Sequence, residues 1–206
     1  MIPTLRKLHH LSGIIIASFL LLHLTNHLFA LGGPVLHIAV MKLFRHVYRF
    51  LPVEILLLIC VIFQVVSGVT LVFKKRFLKQ PFYVIIQIVS GLYLSFFIIY
   101  HVRAVMLGRY QWNVETDFYF AAGVANNYPS KLFFIPYYTL SLICVFAHIV
   151  CVHYIKRMEK VNNMNNTVDA FISIRKYKKE TMVICIAGAV ITFLIMIAFS
   201  GVLFDI

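Results

Sequence analysis

Five stretches of the chain stay apolar over helix lengths that few soluble helices reach, with short polar segments between them. They cover residues 11–31, 53–73, 81–106, 132–154 and 181–203. A hydrocarbon core about 30 Å thick takes about 20 residues of helix to cross, so each stretch reads as a membrane span. The first, LSGIIIASFLLLHLTNHLFAL, has no formal charge yet carries His23 and His27, spaced to share one helix face. Ionisable groups inside a span are costly and usually face a bundle interior, a cavity or a ligand. Residues 35–50, VLHIAVMKLFRHVYRF, alternate apolar and basic positions at helical spacing and predict an amphipathic interfacial helix. KKRFLKQ predicts a tight basic turn after the second span. Residues 107–131 make the longest loop, with Trp112, Glu115 and Asp117, and its length predicts structure on the bilayer surface or folded back onto the bundle. Residues 156–180 are basic and contain NNMNNT, which predicts a mobile turn.

Four of the spans repeat small or polar residues on one face: Gly13, Ala17, His23, His27 and Ala30; Cys60, Gln64, Ser67 and Gly68; Gln87, Gly91 and His101; Tyr137, Ser141, Cys144, His148 and Cys151. Such faces mark helix contacts in lipid. The fifth span shows no comparable stripe. The expected fold is therefore all-α and polytopic, a four-helix transmembrane bundle with a fifth, peripheral span, forming one membrane domain over residues 1–206.

Composition narrows the function. At 62% apolar residues and a mean hydropathy of +0.91 the chain has no room for a soluble catalytic domain, and no Walker A or GxGxxG pattern occurs. The formal charge of +12 sits at helix ends, which points away from nucleic acid and toward the positive-inside rule. Thirteen of the nineteen Lys and Arg fall in the lead-in, the second-to-third turn and the fourth-to-fifth loop. The N-terminus is thus expected in the cytoplasm and the C-terminus outside, in a cell inner (cytoplasmic) membrane. The first apolar run has full span length and no small-residue cleavage site, so no cleavable signal is expected. The four cysteines form no CxxC pair, and neither a zinc site nor a disulfide framework is expected.

Depth sorts the histidines. His23, His27 and His101 fall in the outer halves of their spans, His148 in an inner half, and His9 and His10 at the inner surface. His23 and His101 meet at similar depth from two helices, which suits bis-histidine ligation of a haem between helices. Two other readings stand beside it. His23 and His27 form an HxxxH metal pair, although a di-iron oxygenase would need more such motifs. The histidines also suit a hydrogen-bonded core, and for His148 alone the two readings stay level. His37, His46, Arg45 and Arg49 read most simply as an interfacial basic face. RHVYR also suits a haem propionate or a lipid phosphate.

RKLHHLSG followed by FLLLHLTNH resembles the opening helix of the membrane cytochrome b subunits of succinate dehydrogenases and fumarate reductases, the single-chain five-helix kind. Glu54 with FQVVSGVTLVF resembles the second helix, QIVSGLYLSFFIIYHV the third and VFAHIVCVHY the fourth. The resemblance implies His23 and His101 as ligands of an outer haem b and His148 as one ligand of an inner haem. The other inner position falls on Gln64, whose amide is a poor iron ligand. The family's arginine after the third-helix glutamine is Ile88 here, and the Gly13 to His23 spacing is one residue short. One haem b is expected and the second is left open, with His9, His10 and His153 as substitute ligands. Without the inner haem, Gln64 and His148 are expected to hydrogen-bond where it would lie, with the second and fourth spans closing together. The resemblance further implies quinone as redox partner, soluble flavoprotein and iron–sulfur subunits on the cytoplasmic side, and membrane lipid around the bundle; a homo-oligomer is left open. The role would be at most the anchor and electron-transfer subunit of a quinone-linked oxidoreductase. The alternative is a haem-free accessory, scaffold or pore-like protein on the same bundle.

Overall fold

The computed structural model describes residues 2–74 and 79–204, the side chain of Ile2 excepted. These residues form seven α-helices and no strand: α1 (Ile2–Phe29), α2 (Pro34–Tyr48), α3 (Leu51–Phe73), α4 (Phe82–Tyr110), α5 (Phe118–Asn126), α6 (Lys131–Asn162) and α7 (Thr167–Phe199). Among them α1, α3, α4, α6 and α7 are long and apolar enough to cross a membrane. The protein is an all-α polytopic membrane protein. Most of the expected basic turn KKRFLKQ, residues 75–78, lies outside the described residues.

Helix starts follow local chemistry. Pro34 and Pro52 stand in the first turns of α2 and α3, where a missing N–H costs nothing. Asp117 caps α5 by accepting from the Tyr119 N–H at 3.0 Å, and Asn166 caps α7 by accepting from the Val168 N–H at 2.9 Å. Two expected segments change character. The basic lead-in is continuous with the first span in α1. The expected 156–180 loop is almost entirely helix, with only residues 163–166 between α6 and α7. Its Lys, Arg and Glu are good helix formers, and Asn166 starts the second arm.

The long helices form a closed ring: α1 packs on α3, α3 on α4, α4 on α6, α6 on α7, and α7 returns to α1. The fifth span packs chiefly on α6, and over its last turns it also reaches α1 and the Ala30–Gly32 turn. Gly188, Thr192, Ile195, Ala198 and Phe199 make a narrow buried stripe along α7. A Cβ on Gly188 would lie 2.5 Å from Cγ of Phe146, so ring and backbone touch there. Leu21, Ile59, Ile62, Val66 and Phe193 are exposed around the outside, while Ser12, Ser67, Ser90, Ser141 and Thr192 are buried. This is the apolar-outside, small-inside order of helices packed in lipid. The predicted faces agree closely for α3 and α6; Ala17 of α1 departs, being exposed.

One end of the ring is capped. The turn Ala30–Gly32, α2 and α5 fold across it, and Ala30, Phe118, Ala122, Leu142, Ile195, Ala198 and Phe199 form a buried cluster beneath them. The 107–131 segment folds back onto the bundle, as its length suggested: Phe118, Ala122 and Ala125 of α5 are buried, and Asn126 Nδ2 donates to the Phe199 carbonyl at 2.9 Å. The opposite end carries the start of α1 and the α6–α7 hairpin, where Lys156 bonds His10.

Candidate functional site: two histidine centres

Near the capped end, four imidazoles and one amide meet. α1 supplies His23, Asn26 and His27 from successive turns of one face. α4 brings His101, whose ring centroid stands 6.0 Å from that of His23 at an interplanar angle of 72°. α1 and α4 do not pack as neighbouring helices, so the two rings span the bundle interior from opposite walls. Each is backed by a stacked ring: Phe19 behind His23, centroids 5.4 Å apart, and Phe97 behind His101 at 5.2 Å. His23, His27 and His101 are all only half-buried, so the protein does not pack solidly around them.

His37 corrects the sequence reading. It belongs to α2 but is no part of an exposed basic face; it is 2% exposed and packs against His27, Phe118 and Phe199. Pro34 starts α2 so that His37 and Met41, one turn apart, both face inward. Burial pushes the His37 imidazole down to about 4; Asp117 opposes that shift and Arg45 adds to it. A neutral ring therefore suits the position.

One assignment of tautomers is consistent with the hydrogen bonds here. Asn26 Nδ2 donates to Nε2 of His37 at 3.0 Å. With that nitrogen accepting, Nδ1 of His27 donates to it in a longer contact of 3.4 Å. Nε2 of His27 then accepts from Nε2–H of His23 at 3.1 Å. Nδ1 of His37 and Oδ1 of Asn26 are buried without a partner.

Toward the basic end lies a second pair, one member of which the sequence reading placed elsewhere. His9 is not a surface residue: its Nδ1 lies 2.7 Å from Ser67 Oγ. Ser67 donates its own hydrogen to the Phe63 carbonyl, so His9 Nδ1–H is the donor and His9 Nε2 keeps its lone pair. His148 has the same arrangement from α6. Its Nδ1–H donates to the Gln87 carbonyl at 3.0 Å, again leaving Nε2 free. The two rings lie within electrostatic range of each other. Glycines make room for both: a Cβ on Gly68 would lie 3.3 Å from Cε1 of His9, and one on Gly91 3.1 Å from Cε1 of His148.

Gln64 overturns the expected bond to His148. Its Nε2 donates instead to the His9 carbonyl at 2.7 Å, crossing over Gly13, where a Cβ would lie 2.6 Å from that nitrogen. α3 and α6 stand on opposite sides of the ring and do not close together. The reason is that the lead-in is helical and puts His9 here, its ring against Ser67 and its carbonyl taking the Gln64 amide. The HH pair is the signal in the sequence, and its place next to the basic lead-in points to the inner surface rather than the bundle.

Arg45 and Arg49 lie at the capped end over a cleft of about 690 Å³ shared with Lys42, His46, Glu115 and Asp117. Arg45 Nη2 donates to the Thr116 carbonyl at 2.9 Å and to its Oγ1 at 3.1 Å, and Arg49 Nη2 to the same Oγ1 at 3.0 Å. Arg45 also pairs with Glu115 at 3.3 Å. Burial first, then the neighbouring Arg45 and Arg109, lowers the Arg49 guanidinium pKa. Both arginines therefore tie α2 to the segment before α5. Arg109 pairs in turn with Glu54, which joins α4 to α3.

Among the described residues no three or more His, Cys, Asp or Glu converge as ligands of one metal ion would, so His23 with His101, and His9 with His148, are considered as pairs. Comparison with family models, curated proteins and solved structures gives no match.

Proposed function

We propose that the protein is a b-type cytochrome-like membrane subunit that holds a haem b between α1 and α4 through His23 and His101, with quinone as its redox partner. The observation that carries this reading is the opposed pair of rings. Two imidazoles brought from separate helices into one bundle interior are the residues that would hold a haem there. His23 and His101 stand with ring centroids 6.0 Å apart, on helices that do not otherwise touch closely, with aromatic rings stacked behind them. The donors are imidazoles without a carboxylate partner, the chemistry haem iron takes in b-type sites. Bound there, the haem would supply one-electron transfer; this chain supplies ligands, burial and orientation. Soluble flavoprotein and iron–sulfur partners belong to the same proposal.

One observation favours the haem-free accessory reading. In the hydrogen-bonded arrangement His23 donates through Nε2 to His27, so ligation by that nitrogen requires this bond to open. The spectrum of purified protein supplied with haem separates the two. The cytochrome reading expects a Soret band, low-spin character and about one haem per chain by pyridine haemochrome. His23→Ala and His101→Ala should lose or convert it, whereas exposed His46→Ala should not. His27→Ala should keep it, because that change only frees His23. Absence of any Soret band would sink the cytochrome reading. A ratio near two would place the second haem between His9 and His148.

A further inference from the structure

α6 and α7 run on past the apolar stretches at the basic end, and between them lies a cleft of about 800 Å³. One part of its lining is cationic: Arg157 from α6, and Arg175, Lys176 and Lys179 from α7. Its carboxylate, Glu180, is already engaged, accepting from Arg157 Nε at 3.2 Å and His153 Nε2 at 3.1 Å. The Arg157 guanidinium also lies over the Tyr177 ring, 4.9 Å from its centre. Among the described residues no ion pair or hydrogen bond engages Arg175, Lys176 or Lys179, and all three are exposed.

The rest of the lining is apolar and equally uncovered. Phe171 is 68% exposed, Ile172 59% and Val183 62%. Val183 and Ile184 begin the uncharged part of α7, whereas Arg175 to Glu180 end its charged part. The cleft thus straddles the level where the chain passes from water to hydrocarbon. Water alone suits the three cations and not Val183 and Ile184, which follow them along α7 toward the uncharged span; a hydrocarbon tail alone suits the reverse. A molecule that is anionic at one end and apolar at the other satisfies both.

We propose that the α6–α7 cleft binds an anionic glycerophospholipid, its phosphate against Arg175, Lys176 and Lys179 and its acyl chains against Val183 and Ile184, on the hydrocarbon side of the cations. Basic pockets between membrane helices recognise such headgroups through charge. The phosphate completes the charge balance that Glu180 leaves open, and the acyl chains cover the apolar side of the groove. This assignment is independent of the cytochrome reading, and its test reads lipid rather than absorbance.

The experiment uses the full chain in nanodiscs of equal parts phosphatidylglycerol and phosphatidylcholine, released into native mass spectrometry. Wild type should retain phosphatidylglycerol in preference to phosphatidylcholine. Each cation removed should weaken retention roughly fivefold, on the order of a hundredfold for the triple variant R175Q/K176Q/K179Q. Equal retention of the two lipids by wild type, or undiminished retention by the triple variant, overturns the proposal. Displacement of the lipid by inorganic phosphate alone also overturns it, in favour of a free-anion site. A photoactivatable phosphatidylglycerol guards against a variant that does not fold: on wild type its adducts should map to residues 168–184, and adducts only elsewhere overturn the proposal.

Discussion

His37 belongs to a helix whose sequence reads as basic and interfacial, and it is nonetheless among the most fully buried side chains in the protein. Its pKa is lowered from 6.5 to about 4, by burial first, against the pull of Asp117 and with a smaller push from Arg45. The sign follows from proton counting. Between about pH 6.5 and pH 4 the unfolded chain binds a proton at this residue that the folded chain refuses. The stability associated with neutral His37 is therefore complete above about 6.5 and is lost as pH falls toward 4. Denaturant unfolding in detergent should show wild type losing more stability over that window than His37→Gln. Identical pH slopes for the two proteins would mean that His37 is not held neutral. The sequence could not reveal this burial, because an amphipathic pattern gives a helix face and not the identity of what packs on it. Gln64 was misread for a related reason. Its place on the inner face was legible, but its partner is the main-chain carbonyl of His9, a residue whose sequence position points to the inner surface.

Elements were more legible than partners. The five spans were readable because about 20 uncharged residues admit few other structures. The faces of α3 and α6 were readable too, since Cys60, Ser67, Ser141, Cys144 and Cys151 are all buried where their spacing put them. α7 escaped because its stripe is sparse: Gly188 and Thr192 stand among Ile, Val, Phe and Met, and only a partner ring shows what the glycine is for. That partner is Phe146. A methyl at residue 188 would lie 2.5 Å from its Cγ and 2.7 Å from its Cβ, atoms close to the α6 backbone that cannot swing away. Gly188→Ala should therefore destabilise the α6–α7 contact by about 1–3 kcal/mol, the usual cost of overpacking. Thermal unfolding in detergent checks the loss, and the double variant with Phe146→Ala should recover part of it. A fully stable single variant would show that α7 packs more loosely than its buried stripe implies.

At the scale of the whole molecule, the ring of five long helices decides where the ends of the chain lie. His10 meets Lys156, and His153 and Arg157 meet Glu180, so the start of α1 shares one end with the α6–α7 hairpin. The other end holds α2 and α5, and the chain returns there at its close: Phe204 lies beside Gly33, and Gly201 packs against Asn126. With φ +71° at Gly201 and Asn126 Oδ1 2.6 Å from where its Cβ would be, the turn after α7 favours glycine. An odd number of crossings produces this separation, and the distribution of charge predicts its direction. In the sequence, thirteen of the nineteen Lys and Arg fall in the lead-in, the second-to-third turn and the fourth-to-fifth segment, which predicts those segments on the cytoplasmic side. Paired reporters, one active only in the cytoplasm and one only outside, fused after Lys79 and after Ile206, should therefore give opposite signals, with the first site cytoplasmic. The same signal from both fusions would mean that one long helix does not cross, with α7 the first to question because it is the longest and begins with 14 residues of mixed charge and polarity before Thr181. Opposite signals of reversed sense would keep all five crossings and place the histidine centre formed by His23 and His101 nearer the cytoplasm, on the side from which a soluble electron donor would approach.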